Sequence, residues 1–192
     1  MAFKYNPEAQ KTVAPEGGES FLTIQKDNLF IPQAGQYKLR LLPPWSAQGL
    51  FAKYARIHWG VGSSMLRTVC PDMYTTGSCP FCATFHQLRA DYKTYQEDIA
   101  AIRPVDRFYA NILNMGELHR GVIVWSFGKI IYRLIKGIQD SGDFGDITDE
   151  DNGSDITLTR TGTGRNVQDT IYPTRAPSKI PNPVLLDRLF DL

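Results

Sequence analysis

Three cysteines and one histidine, His58, Cys70, Cys79 and Cys82, stand in the spacing H-x11-C-x8-C-x2-C, and they include every cysteine of the chain. An odd number of thiols cannot all pair as disulfides. One imidazole with three thiolates, however, makes a complete tetrahedral donor set for a single Zn2+ ion. Cys79-Pro80-Phe81-Cys82 is spaced so that two sulfurs reach one ion, and Gly77 just ahead supplies the backbone freedom to enter that turn. Four protein ligands leave no open coordination position, so the expected metal is structural. Its role is to fold a segment with too few apolar side chains to fold alone.

The competing reading of these residues is a dithiol at Cys79 and Cys82 with Cys70 as an unrelated core residue. Cys79-Pro80-Phe81-Cys82 resembles the C-P-Y-C motif of glutaredoxins, but that motif follows the first strand near a chain start, and here a Gly-rich stretch precedes it. A zinc deaminase needs His-x-Glu and Pro-Cys-x-x-Cys. Here Trp59-Gly60 follows His58 and Ser78 precedes Cys79, so that motif is not met. His86 and His119 have no evident catalytic partner, and no phosphate-binding Gly loop or paired-carboxylate motif is present. The expectation is a protein that is not an enzyme.

A second constellation mixes aromatic and basic residues on strand-like segments. Tyr54, Arg56, Trp59 and Arg67 lie near the metal ligands; Arg103, Arg107 and Tyr109 cluster farther on; Trp125 and Lys129 follow; and Arg160, Arg165, Tyr172 and Arg175 lie toward the end. On an exposed sheet, aromatic faces stack unpaired bases at about 1–3 kcal/mol per base. Neighbouring cations neutralise phosphates. Because strands alternate, about half of these aromatics must instead face a core; Phe108 shares parity with Ala110 and Ile112 and is placed there.

The elements that must position these residues follow from periodicity. Strands are predicted at 37–41, 50–58, 107–113, 122–127 and 155–160, with 167–172 returning as a hairpin partner across Thr161-Gly-Thr-Gly. Helices are predicted over 83–100 and 129–138, the second with Ile131, Leu134, Ile135 and Ile138 facing a core. Pro183 to Leu192 is expected to form a short amphipathic helix that docks on the body. Residues 1–20, polar and interrupted by Pro7, Pro15, Gly17 and Gly18, read as a flexible arm. The remainder, 21–192, reads as one mainly β domain with short helices and a zinc subdomain inserted at about 57–100. Short strands with a metal insertion fit an oligonucleotide-binding (OB) Greek-key barrel.

Charge is unevenly distributed. The chain of 192 residues has a formal charge of +1, yet seven acids and no base lie between Asp140 and Asp155, leaving 21 bases against 13 acids elsewhere. That asymmetry suits a basic surface for a polyanion and a separate acidic loop, expected to be a solvated connection. No apolar run is long enough to span a bilayer, and Met1 to Tyr5 opens no signal peptide, so the free thiols point to a reducing cytoplasm.

Four stretches, Ile57-His58-Trp59-Gly60, Ser78-Cys79-Pro80-Phe81-Cys82, Tyr109-Ala110-Asn111-Ile112-Leu113 and Phe127-Gly128-Lys129-Ile130-Ile131, appear in an order that resembles the zinc-containing single-stranded DNA-binding proteins of T-even and related tailed bacteriophages, the gene thirty-two product family. The resemblance covers about residues 21–136 well and the rest more loosely. It implies an OB barrel with a zinc subdomain, zinc held by His58, Cys70, Cys79 and Cys82, and a DNA cleft to which Arg107, Tyr109, Trp125 and Lys129 belong. It also implies a role in coating and protecting unwound DNA during phage replication, recombination and repair in the cytoplasm of the infected host cell. Single-stranded DNA is the expected partner, with further copies along the DNA and phage replication proteins as additional ones. Two departures from the family are that only Lys4 and Lys11 are basic before Lys26, where its basic arm is expected, and that no acidic tail is met by Leu192, which fits either a shorter relative or a trimmed chain. The acidic 140–155 segment is a candidate substitute for covering the cleft. The alternative function is a zinc-stapled protein-interaction module whose basic surface meets an acidic partner.

Overall fold

The computed structural model describes residues 26–44, 50–61, 66–75 and 77–192; the expected arm at 1–20 lies outside them. The fold is mainly β, with few and short helices. Its strands are β1 (Leu29–Phe30), β2 (Gly35–Leu41), β3 (Lys53–Val61), β4 (Leu66–Val69), β5 (Val105–Asn114), β6 (Ile123–Phe127), β7 (Ile156–Thr161) and β8 (Gln168–Pro173). The α-helices are α1 (Pro80–Arg89), α2 (Gln96–Ile102) and α3 (Lys129–Ser141). The chain forms two compact units, one of Ala55–Asp106 and one of Ile24–Tyr54 with Arg107–Leu192. The backbone passes between them within β3 and just ahead of Arg107 in β5.

In the larger unit the strands run in the order β1-β6-β5-β2-β7-β8. The β1–β6 pair is parallel; β5–β6, β2–β5, β2–β7 and β7–β8 are antiparallel. The inward row of β2, Leu39 and Leu41, joins Ala110 and Ile112 of β5, Ile123, Trp125 and Phe127 of β6, and Ile156, Leu158 and Ile171 of the terminal hairpin. Helix α3 closes this core with Ile131 and Ile135. Leu134, expected beside them, is 40% exposed. The helix turns 100° per residue, and the core accepts the arc containing Ile131 and Ile135, with Tyr132 and Ile138 at its edges.

Alternation predicts one open face for β5, but both are buried. Leu113, with Leu42, Val122 and Ile180, forms a second apolar cluster capped by Leu185, Leu186, Leu189 and Phe190. The expected terminal amphipathic segment does dock, but as a 3-10 helix, Pro183–Arg188. Asn111 fastens it: the side-chain amide donates to the Phe190 carbonyl at 2.9 Å and its oxygen accepts the Phe190 N–H at 3.1 Å.

The acidic segment is not merely a solvated connection. Ile147 is buried in the main core, and Asp155 is buried against Arg40. The Arg40 guanidinium, itself 0% exposed, bonds Asp155 at 3.2 Å, the Ser178 hydroxyl at 2.7 Å, and the carbonyls of Asp149 and Ser178 at 2.5 and 2.8 Å. Gly153 lies against this group; a Cβ there would stand 2.5 Å from both Arg40 Nη2 and the Asp149 carbonyl. The other acids remain at the surface, where Asp140 pairs with Lys136 and Asp151 with Lys179.

Candidate functional site

Two local structures of the smaller unit converge on one point. The β3–β4 hairpin pairs His58 with Thr68 and Ile57 with Val69, and its ladder continues through the bond from the Cys70 N–H to the Arg56 carbonyl at 2.7 Å. His58 and Cys70 thus arrive from adjacent strands. The chain then turns through Pro71–Met73 and Gly77, whose φ of +75° is the left-handed conformation that favours glycine. It enters α1 with Cys79 as N-cap, Pro80 at the first helical position and Cys82 at the third. Proline's fixed φ suits that position, and the Cys82 N–H donates to Cys79 Sγ at 3.4 Å, so a sulfur takes the usual place of a capping oxygen.

The four ligand atoms lie within 4.8 Å of one another and all four residues are buried. Cys79 Sγ is 3.3 Å and Cys82 Sγ 3.5 Å from His58 Nε2, and Cys70 Sγ is 3.5 Å from Cys82 Sγ. A tetrahedral zinc ion with ordinary Zn–S and Zn–N bonds would set such ligands about 3.6–3.8 Å apart; the three separations above differ from that by only tenths of an ångström, and no pair lies farther apart than 4.8 Å. His58 Nδ1 lies 3.2 Å from the Ile102 carbonyl, which fixes the tautomer that presents a free Nε2 to the metal. Asp72 Oδ1 accepts the Cys79 N–H at 2.8 Å and steadies the turn. Phe81 packs on the imidazole with 5.2 Å between ring centroids.

Burial opposes charge here. Desolvation raises the Cys70 thiol, raises the Cys82 thiol well above its ordinary range, and lowers His58, the bond to Ile102 only partly opposing it. Three buried thiols gathered on one imidazole are poorly matched as neutral groups, and a dication reverses the balance by binding thiolates. The cluster can therefore hold one metal ion with all four positions filled. It is also much of the unit's interior: the other buried apolar residues described there are Ala55, Ile57 and Ile99. An exposed, acidified thiol of the redox kind is not what these residues form, since all three sulfurs are buried.

The remaining candidates fall on both units. In the smaller one, the Arg67 guanidinium lies 4.4 Å over the half-buried Trp59 ring, Arg56 pairs with Asp106 at 3.1 Å, and Arg103 is exposed beyond the end of α2. Helix 83–100 is broken: α1 and α2 are separated by residues 90–95, where Asp91 accepts the Thr94 N–H and starts a new turn.

In the larger unit Tyr54 and Arg107 are partly exposed, and Lys129, Tyr172 and Arg175 are exposed; the Arg165 side chain lies outside the described residues. Trp125 is a correction. It is 0% exposed, because β6 parity turns it inward against Phe127 at 4.6 Å and Phe30 at 6.0 Å, so it offers no face to a base. Tyr109, 8% exposed, is also enclosed. Arg160 is a cross-strand clamp: its Nε and Nη2 each lie 2.7 Å from the Asp169 carboxylate, and Nη1 bonds the Pro32 carbonyl. That bidentate pairing already neutralises its charge.

Sequence reasoning missed the aromatic group that is partly open. Phe51, Tyr132 and Phe108 form a column, with Tyr132 stacked on Phe108 at 3.9 Å and 11° and on Phe51 at 5.6 Å and 17°. Tyr54 leans on Phe108 at 5.5 Å. Phe108, placed in the core by parity, packs against the main core but is only partly buried, since it stands where the β5–β6 pairing ends. The one available signal was Tyr132, a large aromatic at the edge of the α3 apolar stripe. Phe108 pairs with Phe127 across β5–β6, so the next residues, Arg107 and then Gly128-Lys129, flank the same end of that ladder. Arg107 Nε is buried without a hydrogen-bond partner, and Gly128 caps α3 with no side-chain bond to its first-turn amides. No helix among the described residues is long and apolar enough to cross a membrane.

No family model and no curated protein sequence matches the chain.

Proposed function

We propose that this protein is a non-enzymatic binder of single-stranded DNA, largely indifferent to sequence, whose smaller unit is stapled by one structural zinc ion. The observation that carries the reading is the column of Phe51, Tyr132 and Phe108 beside Tyr54, with Arg107 and Lys129 at the same strand end. An unpaired base extends such a column by one more ring, while the two cations and the free amides of α3 take the adjoining phosphates. The nitrogen and three sulfurs favour zinc over oxygen-seeking Ca2+ or Mg2+. Long antiparallel strands sharing β2 support an OB barrel for the larger unit. The resemblance to the phage family supplies the setting: coating unwound DNA in replication, recombination and repair within an infected cell.

The deciding experiment is a fluorescence titration with oligo-dT at two salt concentrations, repeated with double-stranded DNA of equal length and after chelation. Tight, salt-sensitive binding to the single strand is expected. Phe51→Ala, which removes the outer ring of the column, should weaken it by about 1–3 kcal/mol, the value of one stacked base. Equal affinity for duplex and single strand would refute the reading, as would full oligo-dT affinity in a Phe51→Ala/Tyr132→Ala variant.

A further inference from the structure

Helix α3 buries one stripe and leaves another bare. Ile130 is 75% and Leu134 40% exposed, and at i, i+4 they are neighbours on the helix surface. Gly137 follows on the same side, and a Cβ there would meet nothing within 4 Å, so the backbone itself is open to close approach. Cations line one edge only. Lys129 and Arg133 are exposed, with no ion-pair partner among the described residues, while Lys136 is held by Asp140 at 2.6 Å.

We propose that this face docks an acidic amphipathic helix of a partner protein. Apolar side chains of the incoming helix, three or four residues apart, cover Ile130 and Leu134. Its backbone settles over Gly137, and carboxylates along one side meet Lys129 and Arg133. Charge complementarity selects this occupant. A nucleic acid would use the two cations but leave both aliphatic side chains in water. An anionic membrane would find only two apolar residues and cations on a single edge, too little for stable seating. The inference goes beyond DNA binding and does not rest on it; the two surfaces share only Lys129, and Ile130, Leu134 and Arg133 belong to this face alone.

The test is fluorescence anisotropy of a labelled peptide, about 15 residues long so that it can form a helix, with Leu at i, i+4 and i+7 and Glu along one flank. The control has the same composition in scrambled order. The full chain should bind the patterned peptide at least about tenfold more tightly than the scrambled one. Ile130→Gln/Leu134→Gln should lose at least about tenfold while keeping its melting temperature and its oligo-dT affinity, and Arg133→Glu should weaken the peptide further. Equal binding of both peptides, or an unchanged Kd in the Ile130→Gln/Leu134→Gln variant, would overturn the proposal. So would dimerisation of the peptide-free chain, or binding to phosphatidylserine vesicles, if either is abolished by Ile130→Gln/Leu134→Gln. Those results would assign the face to a second copy or to a membrane.

Discussion

Arg40→Met tests whether the buried ion pair anchors the acidic segment. The guanidinium is fully enclosed, and its partner Asp155 has a side chain only 2% exposed, at 3.2 Å. At that separation the gross attraction is about 5 kcal/mol for an effective dielectric of 20, and most of it only offsets the cost of removing both ions from water. Deleting the cation leaves a stranded buried carboxylate, for which the usual cost is about 3–5 kcal/mol. Lys38 Nζ, 3.0 Å from the other carboxylate oxygen but half exposed, and the Ser178 hydroxyl at 3.0 Å soften the loss. The lower end, about 3 kcal/mol, is therefore expected. Urea denaturation followed by tryptophan fluorescence, which includes the core Trp125, should show a midpoint lowered by roughly 1.5 M for a slope near 2 kcal/mol/M. A double variant, Arg40→Met/Asp155→Leu, should be less destabilised than the sum of its parts, because neither charge remains stranded. A shift below about 0.5 kcal/mol, or strict additivity in the double variant, would refute the reasoning.

Gly153→Ala should cost about 1–3 kcal/mol in the same assay, because the new methyl meets Arg40 Nη2 and two backbone carbonyls within 2.8 Å. Cys70→Ser should reduce bound zinc, measured by atomic emission, from one equivalent to a small fraction and open Ala55–Asp106 to limited proteolysis; chelating the native chain should do the same. Asp146 is lowered below the ordinary carboxylate range: burial pushes it up, but bonds from the Thr148 N–H and hydroxyl and the Gln139 amide outweigh this. Its contribution to stability is thus fully present above its unfolded-state pKa and fades as pH falls through the folded one. Melting temperatures of Asp146→Asn should converge on those of the native chain toward acid and diverge above it.

The buried His58, Cys70, Cys79 and Cys82 cluster was legible because spacing alone brings these residues together. His58 and Cys70 are on neighbouring strands, and Cys79 and Cys82 are one helical turn apart, so no long-range information was required. Six strands and α3 were legible from alternation and the 3.6-residue period. The two-residue β1 and the four-residue β4 are too short to show a period. Which side of each strand meets solvent was not legible, since that depends on what docks later. β5 alternates in sequence yet is covered on both faces, because residues 183–190 return to it. For the same reason Trp125, expected at an open face, lies at the centre of the covered area, while Phe108, expected in the core, packs against it at the margin. Arg40 carried no warning, since its acceptors lie more than a hundred positions away.

The two hydrogen bonds joining Asn111 to Phe190 make a side-chain amide imitate the edge of a neighbouring strand. The final stretch is accordingly a removable cover held by one polar clasp and a few aliphatic contacts. A chain cut back to about residue 181 would keep its sheet but show water a greasy panel made of Leu42, Leu113, Val122 and Ile180. Clumping of such a shortened chain during purification would then report a lost cover, with the sheet beneath still folded.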